Sequence, residues 1–341
     1  MHILAFLEKA NKIPVVDVRT PAEFNQGHIP VAYNIPLFSD DERTRVGITY
    51  KQVGKKEAVI AGLEFAGPKM KNLALQASKI ATNNTLLVHC WRGGMRSESM
   101  AWLFKTVGLE SNILEGGYKS FRRFVLEYLE KDFPFIVIGG LTGSGKTDVL
   151  HELSKKGQQV LDLEKLASHK GSAFGGLGEK DQRTNEQFEN DIFWALSNMD
   201  LNRPIWIEDE SRNIGRNILP AGIHKSIRSS SLIFLDVPLH ERVDRLVKDY
   251  AKFQDKDLCA AVEKIRPRLG DQAARDAIQG IKDRDYDKTA RLVLHYYDKT
   301  YRYGLDKREE QSVHHIEIEI SPDIELATEH IRKFSEENHL I

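Results

Sequence analysis

The chain has 341 residues, 41% of them apolar and 29% charged, with a net charge of −1. That is the balance of a globular protein long enough to build two cores. No apolar run approaches the ~20 residues of a membrane span, and a near-neutral charge gives no strong global attraction to nucleic acid, so neither a membrane protein nor a uniformly basic binder is expected.

The chain opens on Met1 to Lys9, an amphipathic helix without the flank or cleavage pattern of a signal peptide, so the expected location is the cytoplasm, with no membrane partner. After the helix at 3–10, a short buried strand is expected at Val15–Val18 and a second at Thr85–Val88, running straight into His89 and Cys90. Helical spacing follows from Ser97 to Val107 and stops at Gly108, then a strand at Asn112–Leu114 and a closing helix from Phe121 to Leu129. Strands alternating with helices predict a mainly parallel sheet. Lys131 to Pro134 marks a boundary, dividing the chain into 1–133 and 134–341. The second part opens on a strand at Phe135–Ile138 and continues with apolar runs at 159–163, 205–208 and 231–236, each fit for a covered parallel sheet. From about 240 to 341 it becomes helical and strongly charged, with one late strand expected at Ile316–Ile320.

Only two cysteines are present, Cys90 and Cys259, too few for a disulfide framework in a cytoplasmic chain and without metal-ligand neighbours at the usual spacing. Cys259 lies in the helical apolar stripe Leu258–Val262 and reads as core, with a resolving cysteine as the alternative. Cys90 differs. It sits between a strand end and a helix, where open α/β sheets place their ligands. Gly93 and Gly94 let backbone N–H groups turn inward, and Trp91, Arg92, Arg96 and Ser97 complete an anion loop. That field favours a thiolate, so Cys90 is the candidate nucleophile.

Asp17-Val18-Arg19-Thr20-Pro21-Ala22-Glu23-Phe24, then Gly27-His28-Ile29-Pro30 and Ala32-Tyr33-Asn34-Ile35-Pro36, with Cys90 in place, resemble a rhodanese domain over roughly residues 3–130. In that family the cysteine carries a persulfide, and the resemblance implies a structural ion pair for Asp17 and Arg19. Cys90 and Arg96 also have the Cys-x5-Arg spacing of the cysteine-dependent phosphatases, so a phosphatase is an alternative, and the loop is long enough for a tetrahedral anion.

Gly140-Leu141-Thr142-Gly143-Ser144-Gly145-Lys146-Thr147 fits G-x-x-x-x-G-K-T between a strand and a helix. Such a loop wraps an oxyanion in backbone N–H groups, with Lys146 on the outer phosphates and Thr147 on a Mg²⁺ ion. The expected Walker-B acid lies in Glu208-Asp209-Glu210, with Asp209 nearest the usual place and a solvated acidic turn as the alternative. Asp162 and Glu164 are candidate Mg²⁺ ligands or a helix cap. His169 and Ser172 stand on a candidate substrate loop, and Ser211 and Arg212 follow the acids.

The two modules together, with Tyr50–Gly54, Gly62–Glu64, Trp91–Ser97, Asp162–Glu164, His169–Gly175 and Glu210–Gly215, resemble the tRNA 2-selenouridine synthase family over nearly the whole chain. The implied fold class is α/β: a rhodanese-like parallel sheet with flanking helices, then a P-loop NTPase-like domain with a helical extension. The resemblance implies replacement of sulfur by selenium at wobble 2-thiouridine of tRNA, with selenophosphate as donor and an S-geranylated intermediate made from geranyl diphosphate. Cys90 would take the selenium or assist its delivery. The P-loop would bind geranyl diphosphate, a nucleotide such as ATP or GTP, or tRNA phosphate. A selenophosphate-supplying enzyme is a candidate partner. The alternatives are a rhodanese-type sulfurtransferase or phosphatase coupled to a nucleotide-binding domain, and a regulatory module without turnover.

A prenyl chain needs an apolar trough, for which Phe174, Phe188, Phe193 and Trp194 are candidates, although aromatics at helical spacing also build cores. Residues 264–308 hold 12 Lys/Arg against 7 Asp/Glu. Arg284, Lys288, Arg291, Tyr297, Tyr301 and Arg302 interleave charge and rings there, as a tRNA-docking face would, or form one side of a packed helix.

Overall fold

The computed structural model describes residues 1–306, 308, 312–319 and 323–340. They form two compact units, Met1–Tyr128 with Glu186–Trp194, and Leu129–Asn185 with Ala195–Ile341.

In the first unit four strands, β1 (Val15–Asp17), β2 (Ala32–Asn34), β3 (Thr85–His89) and β4 (Glu110–Ile113), form a parallel sheet in the order β2-β1-β3-β4. Its helices are α1 (Ile3–Ala10), α2 (Pro21–Gln26), α3 (Asp40–Gln52), α4 (Lys55–Ala66), α5 (Met70–Ile80), α6 (Met95–Thr106) and α7 (Gly117–Leu129). On β3, Leu86, Leu87 and Val88 are fully buried, worth about 2 kcal/mol each. The register pairs Asp17 with His89, bringing the ends of β1 and β3 side by side just below Cys90.

That level carries a buried polar network. The Arg19 guanidinium donates to Asp17 Oδ2 at 2.6 Å and to the Gly27 carbonyl at 2.7 Å, and both side chains are closed off from solvent. The expected buried ion pair is present. His89 lies 3.7 Å from Asp17, and burial pushes its imidazole down to about 4 against the pull of Asp17. The unfolded chain therefore takes up this proton near pH 6.5, while the folded chain refuses it until about pH 4. Stability should fall as pH drops through that window, by on the order of 3 kcal/mol. Urea midpoints between pH 7 and 4.5 should show the slope in the wild type and a shallower one in His89→Gln. Equal slopes would remove His89 as the cause.

In the second unit β5 (Phe135–Gly140), β6 (Gln159–Leu161), β7 (Ile205–Glu208), β10 (Leu232–Asp236) and β11 (Val313–Glu317) form a parallel sheet in the order β11-β10-β5-β7-β6, while β8 (Asn213–Ile214) and β9 (Asn217–Ile218) pair antiparallel. The helices after α7 are α8 (Lys146–Lys155), α9 (Leu163–Ala167), α10 (Asn185–Ser197, most of which belongs to the first unit), α11 (Ala221–Ser229), α12 (Leu239–Tyr250), α13 (Asp255–Leu269), α14 (Asp271–Lys282), α15 (Tyr286–Leu305) and α16 (Ile324–Glu337). The late strand runs from Val313 rather than Ile316, and Ile320 lies outside the described residues. One core gathers Ile136, Ile138, Trp206, Ile233 and Leu235 of the sheet with Val149 and Leu153 of α8. A second core joins α13, α14 and α15 through Leu258, Val262, Ala277, Ile281 and Val293, and Cys259 packs partly buried against it, its thiol pushed up by burial.

Candidate active site

β3 ends at His89 and α6 begins at Met95, so the residues between form a loop held at the C-terminal edge of the sheet. Gly93 has φ +69°, and a Cβ there would stand 2.5 Å from the Leu114 carbonyl oxygen. Only glycine lets the loop turn so close to the next strand. Cys90 is almost buried. Its Sγ lies 3.3 Å from Ser97 Oγ. Burial works to raise the thiol, but the hydrogen bonds of Ser97 and the backbone of Arg92, together with the Arg96 charge, bring it below its ordinary value. A thiolate is thus favoured, as a nucleophile requires.

Arg96 does not stand free. It donates to both carboxylate oxygens of Glu23, at 2.6 and 3.1 Å. Glu23 is itself fixed, because it closes the capping box of α2 with Thr20. The arginine that a Cys-x5-Arg phosphatase holds ready for a phosphate dianion is neutralised here by a carboxylate. Trp91 and Arg92 are exposed at the loop's outer edge. Above the loop lies an open cleft of about 1280 Å³, lined by Cys90, Arg92 and Arg96 on one side and by α3 and α4 on the other.

In the second unit β5 leads into Gly140–Thr147 and α8. Gly145 has φ +75°, the left-handed turn that starts α8 and tilts its first N–H groups into the loop. Lys146 Nζ donates to the Gly140 carbonyl at 2.7 Å, and Arg242 of α12 donates to the Thr142 carbonyl at 3.2 Å while holding Asp298 of α15 through both its terminal nitrogens. The Ser144 hydroxyl is buried without a partner.

Acids gather on one side of this loop. Thr147 Oγ1 donates to Glu164 at 3.1 Å, and the Glu164 backbone N–H donates to Glu208 Oε1 at 2.9 Å. Glu208 Oε2 is buried with no hydrogen-bond partner. Burial, followed by neighbouring carboxylates, pushes Glu208 well above the usual range. Glu210 is pushed up to about 8 by burial and Glu164, with Lys146 pulling it back. Glu164 is raised mainly by burial, again against Lys146.

Two profiles of known families match the chain. One, described as the tRNA 2-selenouridine synthase AAA domain, covers residues 133–320, and the other, a rhodanese-like domain, covers residues 3–124. A Shewanella frigidimarina protein bearing the name tRNA 2-selenouridine synthase is 32% identical over 88% of this chain and 90% of its own. The chain belongs to the tRNA 2-selenouridine synthase family. A relative of the same name from Proteus mirabilis is 32% identical over 89% of this chain and 92% of its own. One from Nitrosomonas europaea is 38% identical over 70% of this chain, a match that spans 63% of that relative's length. The α/β fold expected from the residues, a rhodanese domain and a P-loop-like domain, is what the family and the two parallel sheets show.

The remaining candidate residues of this family member are dispersed. Asp209 does not turn toward the P-loop threonine as a Walker-B acid would. Its oxygens take the Tyr301 hydroxyl and Arg308, each at 2.7 Å, and Glu208, one residue earlier, joins the Thr147–Glu164 chain instead. Asp162 caps α9 through the Lys165 N–H and meets His151 at 2.9 Å. His169 has its imidazole lowered mainly by burial, and Ser172 accepts from the Phe174 N–H. Ser211 donates to the Asn213 carbonyl, and Arg212 is exposed.

On the expected docking face, Arg284, Lys288 and Arg302 are exposed, while Arg291 is paired with Asp287 at 2.7 Å. The two tyrosines turn inward. Tyr297 accepts from the Ala173 N–H, and Tyr301 accepts from the Gly140 N–H while donating to Asp209, so these hydroxyls serve the P-loop unit. The proposed trough is also corrected. Phe188 and Phe193 are fully buried, Phe193 packed edge-on against Phe121, Phe124 and Tyr128. Phe174 lines a pocket of about 60 Å³, beside Thr142 and Ser172.

Arg242 and Tyr301 were absent from any motif-based expectation for the P-loop. Their signal is distance, since they lie about a hundred residues or more downstream on helices that sequence spacing cannot place. Among the described residues no helix is long and apolar enough to cross a membrane.

Proposed function

We propose that the chain replaces the sulfur of wobble 2-thiouridine in tRNA with selenium from selenophosphate, through an S-geranylated intermediate. The observation that carries this is a single chain of the tRNA 2-selenouridine synthase family with an acidified, cleft-facing thiol in one unit and a phosphate loop in the other. In the first step the thiocarbonyl sulfur attacks the first carbon of geranyl diphosphate. A C–S bond forms, the C–O bond breaks, and diphosphate leaves with the electron pair. The N–H groups of Gly140–Thr147 and the Lys146 ammonium receive that charge. In the second step the selenium of selenophosphate adds at C2 and the geranyl thiolate departs with its electron pair, a far better leaving group than the sulfur of a thiocarbonyl; water then attacks phosphorus, the P–Se bond breaks, and phosphate leaves the selenouridine behind. Cys90 guides the selenium, and exposed Trp91 offers a ring face for a base.

A Mg²⁺ ion fits the P-loop side. Thr147, Glu164 and Glu208 would hold it, and the unpartnered Glu208 Oε2 is the oxygen it would satisfy. Such an ion keeps several waters and binds substrate phosphates. When bound it would shield the diphosphate charge. Exposed Arg284, Lys288 and Arg302 supply tRNA phosphate contacts. Arg96 held by Glu23 disfavours the phosphatase alternative.

The test is mass spectrometry of wobble nucleosides after incubating thiolated tRNA with selenophosphate and geranyl diphosphate, alone and together. Geranylated thiouridine is expected with the diphosphate alone and selenouridine with both. Selenouridine forming at full rate without any prenyl donor would refute the alkylated intermediate.

A further inference from the structure

The cleft above Cys90 carries more apolar lining than the polar reactants of a selenium exchange call for. Thiouridine and selenophosphate are hydrogen-bonding and charged, yet the lining shared with the thiol includes Leu37, Phe38, Val46, Val59, Leu63 and Met95 beside polar residues such as Thr44 and Ser99. Two of these apolar groups, Leu63 and Met95, lie open to water, while Leu37 and Phe38 are buried. Leu63 is 65% exposed, Met95 50% and Ile48, on the same rim, 48%. Monomeric proteins do not keep such contiguous apolar surface without use. The same lining carries five cations, Arg43, Lys51, Lys55, Arg92 and Arg96, of which Arg96 is paired with Glu23. An apolar trough with a basic rim fits a ligand that is greasy at one end and polyanionic at the other.

We infer that this cleft seats the prenyl chain of S-geranylated tRNA, with the basic rim on the RNA backbone and the alkylated sulfur directed toward Cys90. The inference rests on the alkylation reading above and assigns its intermediate a place. Size favours this cleft over the apolar pocket beside Thr142. The pocket beside Thr142 measures about 60 Å³, whereas a benzene ring already occupies a cavity of about 150 Å³. A ten-carbon chain does not fit there. The cleft on Cys90, at about 1280 Å³, takes it with room for the base. The donor's diphosphate and the product's chain are thereby assigned to different sites. The device explains why α3 and α4 carry Ile48, Tyr50 and Leu63 outward rather than into the core.

The experiment measures binding of the full chain to two chemically made anticodon stem–loop RNAs, one with S-geranyl-2-thiouridine and one with 2-thiouridine. Wild type should bind the alkylated RNA at least about tenfold more tightly. Ile48→Ser/Leu63→Ser, both at exposed positions and adding no charge beside the basic rim, should bring the ratio of the two affinities to about one. Leu63→Met should keep the preference. Equal affinity of wild type for both RNAs, or a preference that survives in the double variant, overturns the assignment. Geranylation of thiolated tRNA by wild type is scored in parallel. If geranylated product forms while the preference is missing, the seat is wrong and the alkylation reading stands. If no product forms while chemically alkylated RNA still binds preferentially and the double variant loses it, the reading is wrong and the cleft is still a site for an apolar tail.

Discussion

Cys90→Ser is expected to lower selenation of geranylated tRNA by about 10³-fold or more while geranylation continues, so that the S-geranyl nucleoside accumulates. The substitution is nearly isosteric and keeps the loop's backbone. What it removes is the ionisable sulfur. Ser97 and the N–H groups of Arg92 and Ser97 hold the thiol below its ordinary value against burial, whereas a serine hydroxyl stays protonated at neutral pH in the same surroundings. Liquid chromatography with mass detection of the wobble nucleoside reads both products in one run. Full selenation in the variant would remove Cys90 from the chemistry and leave it as packing beneath the cleft. The pH dependence supplies a second reading. Because the thiol lies below its ordinary value, the rate of the selenium step should rise with pH to a plateau that begins below that value, and Ser97→Ala should move the rise upward.

Lys146→Ala is expected to cut geranylation by about 10²-fold, the cost of removing one cation aimed at a departing oxyanion. Its ammonium now rests on the Gly140 carbonyl, within reach of the loop's centre. Nothing else in the loop replaces it. Arg242 is committed to Thr142 and Asp298, and Arg308 to Asp209. Selenation of RNA that is already geranylated should be untouched in this variant, since it needs no diphosphate. Wild-type geranylation accompanied by lost nucleotide binding would instead make the loop a nucleotide site. Opposite defects in Cys90→Ser and Lys146→Ala would separate the two steps within one chain.

The sheets were legible because their strands are short, apolar and bounded by turns. β3, β5, β7 and β10 each fell within a residue or two of the runs that announced them. Both anion loops were legible because glycine spacing is a backbone requirement written directly in the residues. The helices α3, α4 and α5 were not. α3 buries no residue, so its apolar positions follow no inward stripe. Their one local signal was the capping box of Ser39 and Glu42, matched by Thr20 and Glu23 at α2. The same gap hid the cleft, because apolar side chains turned outward look like a faulty core when only spacing is read. Asp209 was misplaced for another reason. Three consecutive acids at a strand end alternate in direction, and which one meets Thr147 depends on Arg308 and Tyr301, about a hundred residues away. The charge of Arg96 was visible, but its partner Glu23 lies 73 residues earlier.

Grouping Glu186–Trp194 with the first unit has a consequence for synthesis on the ribosome. Tyr118 donates to Glu186 at 2.6 Å and accepts from Asn190, and Phe121 packs against Phe193. These partners emerge some seventy residues after the side chains they cover. The β3–Cys90 scaffold therefore cannot be sealed when residue 130 leaves the exit tunnel. It waits, with a tyrosine hydroxyl and a phenylalanine face unsatisfied, until part of the P-loop sequence has been translated. The nascent chain thus has a built-in delay, and a fragment trimmed at the apparent domain boundary would carry that exposed patch permanently into solution.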